Sequence, residues 1–420
     1  MPSPLFSTMP RLVCLLIATL APEVAAQAQE GAHEFVATYN VLHYFTGTPD
    51  DGATAETAPT RVPDGSYYGT SGRGGAFDFG SVYELAADGS QKVIYSFTGG
   101  ADGGDPVGPL IRDPQGNLYG TTTYGGELNS TCVAGCGGIF KLSPDGVLTV
   151  LHALSGSQAE GAVPWNGLLR DSAGNLYGAT ESGGPFGAGV VFKLAPNGEY
   201  QILHSFDGLD GGAPNGSLIQ DDAGNLLGTA RHGGPSGGGV VFKITSGGVY
   251  TIVHAFALGT GYQPQGKLIR DQDGSIYGTT AFGGANQCGD PSGCGTIYKL
   301  APDGTATVIY KFRGGRDGKF PNALVRSRTT GALYGITPYG GGPSPTCRND
   351  NRSGGCGTVF VITPQGKKVI LHRFDHTQGS DPVSLTKGHD GELVGTTWEG
   401  GLSEAGVIFS LKVSFEQLAH

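Results

Sequence analysis

Seven times along the chain a Gly-Gly pair closes a short apolar run, and the residues just ahead of it are the ones whose types could do chemistry. Immediately before the pair stand Arg73, Tyr124, Ser182, His232, Phe282, Tyr339 and Glu399, and one position earlier come, among others, Glu181, Arg231 and Trp398. The flanking positions hardly change from copy to copy, whereas these do. Drift in a solvated loop tends to leave Ser, Asn and Lys; aromatic and ionisable groups converging on a concavity are the signature of a ligand site. Two chemistries fit. The first is binding. The second is β-elimination on an acidic polysaccharide, which needs a base for the proton beside a uronate carboxylate, a cation to neutralise that carboxylate and an acid for the leaving oxygen. His232 or Tyr124 would be the base, Arg231 or Arg73 the cation and Tyr339 the acid. No H-E-x-x-H pair, P-loop or dinucleotide fingerprint is present, so zinc-protease, ATPase and dehydrogenase chemistries have no motif support.

These residues must be held by the repeat that surrounds them. GNLYGTTTYGG at 116–126 returns as GNLYGATESGG at 174–184, GNLLGTARHGG at 224–234, GSIYGTTAFGG at 274–284, GALYGITPYGG at 331–341 and GELVGTTWEGG at 391–401, with a degenerate first copy at 65–75. A G-x-[VI]-[FY]-x-[LI] run follows each copy, then an Asp-Gly or Asn-Gly turn and an apolar run such as QILHSF at 201–206; another run, such as GPLIRD at 108–113, precedes it. Four short strands per unit in seven units predict an all-β, seven-bladed β-propeller with four antiparallel strands per blade. The last unit lacks its fourth strand, while VLHYF at 41–45 fits that pattern with no unit before it. An N-terminal strand that completes the last blade would close the ring and remove its exposed edges.

In such a ring the short Asp/Asn/Gly hairpins share one face and the variable second-to-third and fourth-to-first loops the other. Trp165 opens an inner strand on the variable face, where its sister units carry Asn215 and Gln265. With Asn322 these form a rim of amides and one indole at the channel mouth, suited to hydroxyl-rich ligands such as sugars; a core position is the alternative reading of Trp165. The ligand-binding set is therefore Arg73, Tyr124, Trp165, Asn215, Arg231, His232, Gln265, Asn322, Tyr339, Trp398 and Glu399. His43, His152, His204, His254 and His372 recur at one fourth-strand position, with Tyr95 and Tyr310 as substitutes. One residue per blade reads as packing and not as a metal cluster. Asp51, Asp102, Asp210 and Asp317 precede glycine after the fourth strand and read as turns, with too few oxygen ligands at the right spacing for structural calcium. No cofactor motif is evident.

Composition narrows the class further. Glycine supplies 76 of 420 residues, far above the roughly 7% of ordinary proteins, which excludes a long-helix architecture. The net charge of −10, with no basic block, argues against nucleic acid. Residues 1–26 read as a cleaved export signal, Ala28 being the alternative cleavage point, and 33–415 as a single propeller domain. The chain ends in SLKVSFEQLAH without a hydrophobic tail, which favours release over surface anchoring. Six cysteines remain beyond the leader in local pairs, Cys132 with Cys136, Cys288 with Cys294 and Cys347 with Cys356. Unequal spacings and the lack of a nearby histidine favour disulfides over zinc. The expectation is a secreted monomer, extracellular or periplasmic, with no membrane insertion once the leader is gone. Its partner is expected to be a glycan or cell-surface ligand, with polysaccharide cleavage by a lyase or hydrolase as the alternative and a protein-interaction scaffold as the third reading.

The combination of GNLYGTT, GG, G-x-VFKL and VLHSF in register resembles the GloVer (Gloeo/Verruco-type) family of bacterial extracellular tandem-repeat proteins, over about residues 40 to 411. The resemblance implies export and a repeat fold, and no defined activity.

Overall fold

The glycine in the middle of each second strand has a steric reason. A Cβ on Gly178 would stand 2.5 Å from Phe192 Cζ, and the same approach recurs at Gly120 under Phe140 (2.6 Å), Gly228 under Phe242 (2.6 Å) and Gly335 under Phe360 (2.5 Å). An aromatic ring from the third strand thus occupies the space beside each of these glycines, and any side chain there would collide with it. The structure, a computed structural model, describes residues 33–417 apart from 127, 129–131, 285–287, 289–290, 343–346 and 348–354. The leader read over 1–26, with its alternative cleavage point at Ala28, lies outside the described residues.

Among the described residues the strands form seven antiparallel blade sheets in chain order, with two further two-stranded pairs, Gly52–Ala53 with Arg73–Gly74 and Gly161–Ala162 with Ser182–Gly183. Blade 1 comprises Thr60–Arg61, Tyr67–Ser71, Ser81–Leu85 and Gln91–Ser96; blade 2, Ile111–Arg112, Leu118–Thr122, Gly138–Leu142 and Leu148–Ala153; blade 3, Leu169–Arg170, Leu176–Thr180, Val190–Leu194 and Tyr200–Ser205. Blade 4 has its inner strand in two pieces, Gly212–Pro214 and Ile219–Gln220, followed by Leu226–His232, Val240–Ile244 and Tyr250–Ala255. Blade 5 comprises Tyr262–Arg270, Ile276–Phe282, Thr296–Leu300 and Ala306–Lys311, and blade 6, Asn322–Arg326, Leu333–Thr337, Thr358–Ile362 and Lys368–Arg373. Blade 7 has Ser380–Lys387, Leu393–Glu399 and Val407–Gln417, and its outer strand is His33–Tyr44 from the other end of the chain. The ring is closed by the N-terminal strand, as the unpaired VLHYF segment predicts. Phe45 N donates to Gly406 O at 3.1 Å, the bond that Phe97 makes to Gly80 and Phe206 to Gly189 in their own blades.

Neighbouring blades are joined by one aromatic contact repeated around the ring. The residue at the end of each outer strand packs against the third-strand aromatic of the next blade, edge-on in Phe45 on Tyr83, Phe97 on Phe140, Phe206 on Phe242, Phe312 on Phe360 and Phe374 on Phe409 and tilted in Phe256 on Tyr298, with centroids 4.9 to 5.4 Å apart. Leu154 takes this place after blade 2 and is fully buried. Such pairs add about 0.5–1.5 kcal/mol each beyond their buried area.

Three of the five fourth-strand histidines and the two substitute tyrosines clasp a carboxylate of the turn that follows, whereas His254 Nε2 and His372 Nε2 have no hydrogen-bond partner among the described residues. His43 Nε2 meets Asp51 at 3.1 Å, His152 meets Glu160 at 3.1 Å and His204 meets Asp210 at 2.8 Å, while the Tyr95 and Tyr310 hydroxyls donate to Asp102 at 3.0 Å and Asp317 at 2.8 Å. Three of the imidazoles also stack on a tyrosine of the following blade, His152 on Tyr200, His204 on Tyr250 and His372 on Tyr39, at 3.7 to 4.4 Å. Burial holds the His372 pKa down at about 4, so this ring is neutral in its stack.

Three disulfides, Cys132–Cys136, Cys288–Cys294 and Cys347–Cys356, staple second-to-third loops. Among the described residues no helix is long and apolar enough to cross a membrane. The propeller spans residues 37–413; a second unit comprises the two chain ends, and in its described part Ser414 donates to the Val36 carbonyl oxygen at 3.4 Å.

Candidate functional site

The chain enters each inner strand through a residue in the left-handed backbone region, lying ahead of the strand in blades 1, 2, 3 and 6 and at its second position in blades 4, 5 and 7: Thr54, Asp105, Val163, Ala213, Gln263, Phe320 and Asp381, with φ between 48° and 60°. A non-glycine residue held there costs about 1–3 kcal/mol. The same hydrogen bond holds all seven, since each N–H donates to a carbonyl of the preceding blade at 2.8 to 3.1 Å, for example Asp105 to Phe79 and Gln263 to Gly238. Two residues further on, after a proline in blades 2–7 and Ala55 in blade 1, a side chain is delivered to the channel. These seven are Glu56, Val107, Trp165, Asn215, Gln265, Asn322 and Val383, and all line one open cavity of about 670 Å³.

The mouth therefore carries three amides, one indole and one carboxyl at equivalent positions. Asn215 Oδ1 is buried and has no hydrogen-bond partner among the described residues. Gln265 Nε2 donates to Pro321 O at 3.3 Å, and Asn322 Oδ1 accepts from the Ala323 N–H at 2.8 Å. Trp165 keeps 36% of its surface exposed, which a core tryptophan would not.

The residues two before each Gly-Gly form a second tier. Glu181 and Arg231 line the cavity, and Trp398, across the closure between blades 7 and 1, favours the charged form of Glu56. Arg231 Nε donates to Gln263 Oε1 at 3.3 Å, and the Gln263 amide reaches His232 Nδ1 at 3.5 Å. Burial, then the Arg231 charge, lowers the His232 pKa.

A carboxyl pair stands where blades 1 and 2 meet the cavity. A Cβ on Gly72 would lie 2.6 Å from Asp105 Oδ1 and 3.2 Å from Glu56 Oε1, so both oxygens crowd the same bare backbone. Burial and then the Asp105 charge push Glu56 up to about 7, against the pull of Arg73 and Trp398. Burial likewise raises Asp105 to about 6, again opposed by Arg73. Two neighbouring carboxyls that titrate near neutrality can exchange a proton with a bound molecule.

The structure thus sorts the residues singled out from the sequence. Trp165, Asn215, Arg231, Gln265 and Asn322 line the cavity, and Arg73 and Trp398 act on Glu56 from beside it. His232 follows Arg231 at the exposed end of the same strand. Tyr339 packs edge-on against Phe320 and under Lys319. Tyr124 is paired through its backbone with Gly104 and points out to solvent, and Glu399 pairs with Ser380 at the sheet edge. Tyr124, His232 and Tyr339 sit on blades 2, 4 and 6, no two of which are neighbours. Glu56, Asp105 and Lys267 were not among the residues singled out. The signal for Glu56 is alignment with Trp165, which requires the Thr60–Tyr68 register to set it. Among the described residues no group of His, Cys, Asp or Glu is arranged to hold a metal ion.

Strand order and cavity together define a closed seven-bladed propeller with a polar central site. The chain belongs to the Gloeobacter/Verrucomicrobia repeat family, whose model matches residues 33–223, 128–346 and 216–420 in overlapping passes. Among solved structures it is similar to a gluconolactonase from Xanthomonas campestris, at 15% identity over 90% of each chain with a TM-score of 0.44. It is also similar to a candidate 6-phosphogluconolactonase from Bacteroides uniformis, at 14% identity over 75% of this chain and 84% of that one with a TM-score of 0.48. No curated protein matches the sequence.

Proposed function

We propose that the protein binds a hydroxyl-rich ligand, a glycan, in the mouth of the central channel on its variable-loop face. The observation that carries this reading is the ring of equivalent inner-strand positions, where Trp165, Asn215, Gln265 and Asn322 line one cavity. An indole offers a flat apolar face to a sugar ring, and primary amides both donate and accept toward hydroxyls. The cavity volume of about 670 Å³ falls in the range of small-molecule sites. Three disulfides and the export signal read over 1–26 favour an oxidising compartment outside the cytoplasm. The test is a glycan array followed by calorimetric titration of the best ligand. Trp165→Ala and Asn215→Ala should each weaken binding by about tenfold, close to 1.4 kcal/mol. Unchanged affinity in both variants would contradict the proposal.

The Glu56–Asp105 pair favours a second reading, a polysaccharide-cleaving enzyme that uses the same cavity. Glu56 replaces His232, Tyr124 and Tyr339 as the preferred proton-transfer group, because it lines the cavity and they do not. Product release from uronate polymers by the wild-type protein, lost in Glu56→Gln while binding persists, would support catalysis. Binding without product would leave the protein a lectin-like module.

A further inference from the structure

One lining side chain is left over by both tiers of the mouth. Lys267 lies two residues beyond Gln265 on the inner strand of blade 5, at a position that holds Ala58, Pro109, Gly167 and Ser217 in blades 1 to 4. All of these are small or uncharged; only blade 5 brings a cation here. The backbone turns it inward. Gln265 pairs with Thr279 and Ile269 with Tyr277, so Gly266, Lys267 and Leu268 together oppose the single residue Gly278. Such a bulge re-aims side chains, and Gly266 supplies the required left-handed backbone with φ +73°. Leu268 then enters the core at 2% exposure, whereas Lys267 projects into the cavity and stays accessible.

The ammonium group has no direct partner, although Glu56 and Glu181 line the same cavity. The other lining cations are engaged: Arg61 Nη1 donates to the Gly388 carbonyl at 2.7 Å and Arg231 Nε to Gln263 at 3.3 Å. Lys267 makes no ion pair or hydrogen bond among the described residues. The cavity walls lower its pKa by desolvation. Asn322 Oδ1 stands 2.7 Å from where a Cβ on Gly266 would be, so the amide ring borders the same spot. An accessible cation in a confined polar cavity is an anion site.

We infer that Lys267 holds an anionic group of the ligand, so that the glycan bound in the channel is an acidic sugar carrying a carboxylate, of the uronic acid class. This rests on the glycan reading above and sharpens it. A single ammonium among amides matches one negative charge. A phosphate monoester would bring nearly two into a cavity already lined by Glu56 and Glu181.

Short uronate-containing oligosaccharides, their carboxyl-reduced counterparts and sulfated analogues should be titrated into the full-length protein and into Lys267→Met and Lys267→Arg. The uronates should bind at least about tenfold tighter than the reduced sugars, a gap typical of one charge-assisted contact. Lys267→Met should erase that gap while leaving the reduced sugars within about twofold of their wild-type affinity. Lys267→Arg should restore most of it. Equal binding of acidic and reduced sugars, a preference that survives in Lys267→Met, or tighter binding of the sulfated analogues would overturn the acidic-sugar assignment and leave the glycan reading standing. Binding by none of the three classes would overturn both.

Discussion

The outer wall of the ring and the mouth of its channel are built from the same repeat under opposite rules. Around the wall each blade offers the next nearly the same thing: an aromatic plug such as Phe206 on Phe242 and, in five places, a His or Tyr clasped to a carboxylate. Around the mouth the backbone is as regular, with its seven left-handed residues, yet the side chains it delivers are Glu56, Val107, Trp165, Asn215, Gln265, Asn322 and Val383. Regularity of backbone with irregularity of side chain is what a scaffold presenting a site requires. The wall holds the ring shut; the exceptions face the cavity.

The comparison can be broken most forcefully at the closure. Removing residues 33–46 deletes the outer strand of blade 7 and leaves the edge of Val407–Gln417 unpaired. The melting temperature should fall sharply and aggregation should follow, as differential scanning calorimetry and light scattering would show. Next in size is a wall residue. Phe192→Ala empties a fully buried site and should cost about 3–5 kcal/mol of stability, measured by denaturant unfolding.

Smaller still is the effect of the carboxyl at the mouth. The folded Glu56 pKa of about 7 lies above its ordinary 4.5, so between those values the native state keeps a proton that the unfolded chain has released. Stability is therefore intact at acid pH and lost as pH rises through that window. Glu56→Gln should match wild type near pH 4 and exceed it above pH 7 by about 1–2 kcal/mol, once solvent screening in the open mouth is allowed for. Urea titrations across that range would check the sign.

Much of the fold was legible because the repeat puts the same pattern before the reader seven times, and the unpaired VLHYF run at 41–45 announced closure. The rim of Trp165, Asn215, Gln265 and Asn322 was legible for the converse reason, since exceptions stand out at aligned positions. Glu56 was not, because the inner segment of blade 1 lacks the proline that marks the other six and only the sheet register aligns it. Lys267 sat inside GKLIRD, a run that reads as ordinary repeat; the bulge that turns it inward is a property of the paired strands. The His–Asp clasp was seen as two unrelated features because its partners are six to eight residues apart. A variable spacing conceals a constant contact.

The division between wall and mouth is tested most directly by measuring stability and glycan affinity on the same two variants, Trp165→Ala and Phe192→Ala. Trp165→Ala should unfold within about 0.5 kcal/mol of wild type, as an exposed residue does, and lose binding about tenfold. Phe192→Ala should be strongly destabilised while its folded fraction binds normally. A Trp165→Ala protein that unfolds early yet binds at full strength would contradict the division.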